Sequence, residues 1–285
     1  MAPTNTTKYK MVGKTLNYHG ILWISGTHDD EGGLNSTSRN AGDVALACGI
    51  KGSVFQHVKV ACATDLQKYL KELAIEILYS RIFPIIHLDF HGSQDLGLKI
   101  SQTDFLSWDD LFTSLRIINK IMGNSLVVVG AACEAYWALE RLTSSFDKGS
   151  PMYLYIAPQK RVSIDFLDKN LQRFYLELLE NGNSMKAAEI LYPEFTLWHC
   201  ERFLFVTICQ YITNHCRGKT GRARAEDLLS QLLEMNADYS KINFYRKNIK
   251  RHLRPNQSLL DKYAKTFLCG DAISFSIEDI YRMIN

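Results

Sequence analysis

Two apolar runs in this chain end in side chains suited to acyl transfer. Pro84-Ile-Ile-His-Leu-Asp-Phe leads into His91-Gly92, and Ser125-Leu-Val-Val-Val-Gly-Ala-Ala leads into Cys133-Glu134. A cysteine attacks a carbonyl as thiolate, which a neighbouring imidazole supplies by taking the thiol proton; the same imidazole later protonates a leaving amine. The oxyanion of the intermediate needs backbone donors, and Gly92, lacking a Cβ, lets its N–H come close to a substrate. The N–H of Cys133 is the natural second donor, and a helix opening directly after Cys133 would bring its positive end beside the sulfur. Taken singly, a cysteine after a strand is most often a small buried hydrophobe, and a histidine at a strand end is most often structural. The chemistry therefore depends on whether the chain brings the two ends together.

The segment between them supplies the means. Ser107 reads as an N-cap with Asp110 at N3, and Leu111, Leu115, Ile118 and Met122 form one apolar stripe that Gly123-Asn124 closes. A right-handed crossover through that helix makes the strands at 84–90 and 126–130 parallel, with His91 and Cys133 at the same sheet edge, where open α/β sheets collect their ligands. Alternation on the first strand puts His87 and Asp89 on one face with His91, and one of the two is expected to orient the site, neither as a metal ligand. Further strands are expected at 20–25, 53–60 and 152–157. Helices are expected from Thr64, with Gln67 completing a capping box and Leu66, Leu70, Leu73 and Ile77 buried, from Glu134 to about 143, and from Ile164 to Glu180. The β-branched, aromatic run 202–212 reads as a last strand, although its length also permits a buried helix. The expected fold is α/β: a mostly parallel sheet with helices on both faces over residues 15–214, followed over 215–285 by a basic helical extension.

Composition narrows the class. The chain has 285 residues, 46% of them hydrophobic, enough for a substantial core. Its seven cysteines include no CxxC pair, which argues against a disulfide framework or a zinc knuckle, and neither a metal nor a cofactor is expected. The start shows no signal-peptide pattern and no run approaches a membrane span, so a soluble, cytoplasmic protein is expected. Net charge is +3, but residues 196–285 hold 14 Lys/Arg against 9 Asp/Glu, a local +5 that leaves −2 for the rest.

An apolar strand ending in His-Gly, followed some forty residues later by one ending in Ala-Cys, resembles the caspase superfamily of clan CD cysteine peptidases. Ile86-His-Leu-Asp-Phe-His91-Gly92 with Ala132-Cys133-Glu134 is most similar to its CHAT branch. Phe174-Tyr175, Leu178-Leu179 and Gly182 are similar to a later CHAT helix, so the resemblance covers roughly residues 20–210. It implies peptide hydrolysis by a Cys133–His91 dyad without metal, with Gly92 at the oxyanion. Caspases read an acidic P1 side chain partly through an arginine in the loop after the first strand, and Ser38-Arg39-Asn40-Ala41-Gly42-Asp43 looks similar; a bidentate guanidinium suits that task. The chain departs from caspases at Ala131, where they carry a pocket glutamine, so Arg39, Asp89, Ala131 and Glu134 are substrate-side candidates with P1 preference open. The acidic loop His28-Asp29-Asp30-Glu31-Gly32-Gly33 is a second candidate, for a basic P1, against the commoner reading of a solvated turn.

The basic extension carries Cys216-Arg-Gly-Lys-Thr-Gly-Arg-Ala-Arg224 and Tyr245-Arg-Lys-Asn-Ile-Lys-Arg-His-Leu-Arg254. Such runs are most often solvated helix faces; the sharper reading is that Arg246, Lys250 and Arg254 receive an activating nucleotide, nucleic acid or acidic protein. Gly218-Lys219-Thr220 lacks the upstream glycines of a phosphate-binding P-loop. The leading expectation is a caspase-like cysteine endopeptidase acting on protein or peptide substrates away from membranes. Family analogy makes it a regulated effector, of bacterial antiviral defence, switched on by a regulatory protein or small signalling ligand. The alternatives are a non-enzymatic binding module on the same fold, and another thiol enzyme such as an acyl transferase.

Overall fold

A computed structural model describes residues 16–26, 36–132, 135–144, 147–235 and 238–284. They divide into two compact units: the described part of Val12–Cys200 with Thr266–Asp271, and that of Glu201–Lys265 with Ala272–Asn285. Among the described residues, no helix is long and apolar enough to cross a membrane.

The first unit is α/β, with a mostly parallel six-stranded sheet. In chain order it runs β1 (Gly20–Gly26), α1 (Ser36–Lys51), β2 (Val54–Val60), α2 (Ala63–Ser80) and β3 (Pro84–Asp89). It continues through β4 (His91–Ser93), β5 (Gly97–Lys99), β6 (Phe105–Leu106), α3 (Trp108–Ile121), β7 (Val127–Gly130) and a 3₁₀ helix (Ala135–Ser144). Last come β8 (Leu154–Pro158), α4 (Ile164–Asn181), α5 (Ser184–Ile190) and β9 (Phe195–His199). The strand order is β2-β1-β3-β7-β8-β9, parallel throughout except for β9, which pairs antiparallel with β8. The order reverses direction at β1, so right-handed crossovers put α1 on one face and α2 and α3 on the other. Accordingly α1 packs with α4, and α2 with α3.

Several helix ends follow local chemistry. Ser107 Oγ accepts from the Asp110 N–H at 3.2 Å, and Leu111, Leu115, Ile118 and Met122 are buried. Gly182 ends α4 in the left-handed conformation at φ 60°. The expected capping box at Thr64 does not form. The α2 N-cap is Cys62, without a side-chain cap, and the Ala63 N–H donates instead to Asp104 Oδ2 at 2.6 Å, forty-one residues away in sequence. A distant carboxylate here takes the place of the local hydroxyl.

The 202–212 run is a helix, not a strand: α6 spans Cys200–Tyr211. Cys200, Glu201, Leu204, Phe205 and Cys209 are its buried positions, and Ile212 follows in a π-helical turn, a helical repeat rather than the alternation of a strand. The strand that pairs with β8 at this end of the sheet is β9, which precedes this run in the chain. From Glu201 onward α6 belongs to the helical unit, together with α7 (Gly218–Glu234), α8 (Ile242–Leu253), α9 (Gln257–Phe267) as far as Lys265, and α10 (Ile277–Ile284).

Candidate functional site

The reversal of strand order at β1 and β3 makes a crevice beyond the carboxyl ends of these strands, the usual ligand position in an open α/β sheet. Ile86, His87 and Leu88 of β3 lie opposite Val128, Val129 and Gly130 of β7. One further bond, from the Ala131 N–H to Leu88 O at 2.8 Å, carries the pairing just past the end of β7. His91 and Cys133 each lie three residues beyond the paired positions Leu88 and Gly130. Cys133 and Glu134 themselves, and the acidic stretch 28–33, lie outside the described residues.

Beyond Asp89 the expected alternation stops. The chain bends at the buried Phe90, and His91 starts a separate antiparallel sheet of β4, β5 and β6 instead of extending the face of His87 and Asp89. His91 pairs with Lys99, Gly92 with Leu98 and Ser93 with Gly97. His91 is exposed and Gly92 half-buried. Two contacts anchor this sheet. Trp108, fully buried, donates Nε1–H to Ser93 O at 3.0 Å, and Gly97, at φ +109°, sits so close to Leu106 that a Cβ would stand 2.0 Å from its carbonyl oxygen. Only glycine fits there.

A second set of contacts supports the end of β7. Gly130 lies under the buried Tyr155 of β8, and a Cβ at 130 would stand 2.6 Å from the Tyr155 hydroxyl. That hydroxyl reaches Ala135 O at 3.4 Å, and the Ala135 N–H donates to Ala132 O at 3.2 Å. Ala132 is fully buried and Ala131 half-buried. Nothing in the sequence marks Tyr155, Trp108 or Gly97 for these roles, because the groups they meet, at Gly130, Ser93 and Leu106, lie outside their own local stretch of chain.

His87 is a packing residue. Its ring stacks on Trp23 of β1 at 3.6 Å between centroids, and its Nδ1 shares a 2.6 Å hydrogen bond with the Tyr175 hydroxyl of α4. Complete burial, helped by the neighbouring His57, pushes its pKa down to about 3, so the ring stays neutral. Burial first, then the nearby Cys48 and Asp89, push the Tyr175 hydroxyl well above its ordinary value. Phe174, Tyr175 and Leu178, the helix residues of the family resemblance, are buried, and Tyr175 ties α4 to the central strand. Asp89 is half-buried at the end of β3, in register with Ser25, whose Oγ lies 2.9 Å from His57 Nε2.

Arg39 does not stand in a loop. It lies on α1, and its guanidinium pairs with Asp168 of α4, the helix packed against α1. Two other thiols are of the inert kind, since burial pushes Cys48 and Cys209 up to about 11. In the helical unit, Arg246 donates through Nε and Nη2 to both carboxylate oxygens of Glu226, each at 2.8 Å, whereas Lys250 and Arg254 open onto a cleft.

No family model matches the chain, and no curated protein matches it.

Proposed function

We propose that the chain is a caspase-like cysteine endopeptidase that hydrolyses peptide bonds through a Cys133–His91 dyad. The observation that carries the reading is the β3–β7 register with its added Ala131–Leu88 bond, which runs the leads to the two residues side by side from parallel strands. His91 takes the thiol proton, and the Cys133 sulfur forms a bond to the scissile carbonyl carbon as the carbonyl electrons move to oxygen. The N–H groups of Gly92 and Cys133 receive that oxyanion. As the tetrahedral intermediate collapses, the C–N bond breaks and the imidazolium gives its proton to the departing amine. Water, deprotonated by His91, then hydrolyses the thioester and regenerates the thiol. The residues invoked need neither metal nor cofactor, and the enzyme acts as a regulated effector held in check until a ligand or regulatory protein engages it.

The anchored β4–β6 sheet and the Tyr155 contacts support this reading because a dyad works only if both partners are held within hydrogen-bond reach. A peptide-based electrophile tests it. Wild-type labelling should vanish in Cys133→Ala and slow by about a hundredfold or more in His91→Ala, the usual scale for losing a proton-transfer partner. Equal labelling of wild type and both variants would overturn the dyad. A second reading, a non-enzymatic binding module on the same fold, draws support from the cationic cleft in the helical unit. It requires an unreactive Cys133.

A further inference from the structure

Several cations of the helical unit are answered locally: Arg246 by Glu226, Arg282 by Asp279, Lys241 by Asp238, and Arg224 by the Tyr211 hydroxyl. Arg222, Lys250 and Arg254 are not, since none pairs with a carboxylate among the described residues. Together with Arg217 they line one cleft of about 500 Å³, whose lining contains no Asp or Glu. Glu226 feels the Lys250 charge, but both its oxygens are already taken by Arg246.

Gathering like charges in a concavity is self-repulsive unless an anion enters, and a cleft wall concentrates their field. The cleft also has an apolar, aromatic side, formed by Leu253 and Tyr281. Tyr281 is fixed by its hydroxyl bond to Pro255 O at 3.0 Å, and the Arg254 guanidinium lies 5.0 Å from its ring centroid. Arg217, by contrast, donates to Ile284 O at 2.8 Å and holds α10. The volume falls in the range of small-ligand sites, roughly 300–1,000 Å³. Across Arg254 and Tyr281 a neighbouring hollow, lined also by Arg251 and Arg282, contains Glu278. That carboxylate interrupts the basic surface a polymer would follow and leaves the first cleft as the place for a compact anion.

We propose that this cleft binds a nucleoside polyphosphate, with the phosphates on Arg222, Lys250 and Arg254 and the planar base against the Tyr281 side. An arginine suits the oxygen pairs of a phosphate, a lysine adds a mobile point charge, and the aromatic face accepts the base. The binding claim is independent of the peptidase reading; a consequence for peptidase activity would rest on it.

Isothermal titration of the full chain with ATP, inorganic tripolyphosphate and a ten-nucleotide oligouridylate tests the claim. ATP should bind wild type with Kd below about 100 µM, at least about tenfold more weakly to Lys250→Ala/Arg254→Ala, and within about twofold of wild type to Lys247→Ala, an exposed α8 cation off the cleft. Arg222→Ala provides a second variant on another helix and should weaken ATP in the same direction. Tripolyphosphate should bind more weakly than ATP. The proposal is overturned if neither phosphate compound binds at about 1 mM, if Lys247→Ala weakens ATP as much as the double variant, or if only the RNA binds. Tripolyphosphate as tight as ATP would remove the base from it. Because titration does not read Cys133, an unreactive thiol alongside ATP binding would sink the peptidase and leave the cleft standing.

Discussion

His87 should make the stability of the α/β unit depend on pH. In the unfolded chain a histidine takes its proton near pH 6.5, whereas burial in the fold depresses this pKa to about 3. The unfolded state therefore binds the proton first. The folded state keeps its full advantage above pH 6.5 and loses it progressively as the pH falls toward 3. Each unit of pH in that window is worth up to about 1.4 kcal/mol, so moving from pH 7 to pH 5 should cost about 2 kcal/mol through this one side chain. The reference variant is His87→Phe/Tyr175→Phe, which removes the titrating ring and its 2.6 Å partner together and so leaves no orphaned hydroxyl. Phe at 87 keeps a ring against Trp23. Urea unfolding followed by tryptophan emission is the appropriate assay, because Trp23, Trp108, Trp137 and Trp198 all lie in the α/β unit. Wild type should lose about 2 kcal/mol more than the double variant between pH 7 and pH 5. Parallel losses in the two proteins, or a wild type that gains stability at pH 5, would refute the assignment of a neutral, proton-refusing His87.

Three further outcomes are expected. Asn119, fully buried, donates to Asn124 Oδ1 and Ser150 O and accepts from the Leu126 N–H, all within 2.9–3.0 Å, so Asn119→Ala should cost about 3 kcal/mol in urea unfolding at pH 7. Gly97→Ala cannot keep the present approach to Leu106 O; it should slow electrophile labelling of Cys133 by about tenfold or more, as expected when a positioning strand shifts by an ångström. If Arg39 reads an acidic P1 residue, Asp168→Asn should strengthen that preference in a peptide-library digest by releasing the guanidinium, and Arg39→Ala should abolish it. No change in either variant removes Arg39 from specificity.

Much of the framework was legible because it is coded locally. Ser107, its stripe of four and the Gly123-Asn124 close each depend on residues within a turn or two, and the structure forms all of them. The parallel pairing of β3 and β7 followed from the handedness of one crossover. What was not legible depends on partners far along the chain. The partner of the Arg39 guanidinium, Asp168, lies on the distant α4, and Thr64 reads as a cap until Asp104 takes over from a distance. The 202–212 run could be strand or helix by composition, and in the fold its burial follows a helical spacing.

The same division holds at the two sites. Residue types and one crossover helix in the sequence were enough to nominate His91 and Cys133 and to align the strands that lead to them. Tertiary structure alone moved His91 out of the main sheet into a small antiparallel one, set Trp108, Gly97 and Tyr155 beneath the strand ends, and removed His87 from acid–base work by burying it. It also separated Arg246, neutralised by Glu226, from Lys250 and Arg254, which share a cleft with Arg222 of another helix. The reason is physical: periodicity and capping act within a few residues, whereas desolvation and ion pairing depend on which surfaces meet, and that is decided only when the chain closes on itself.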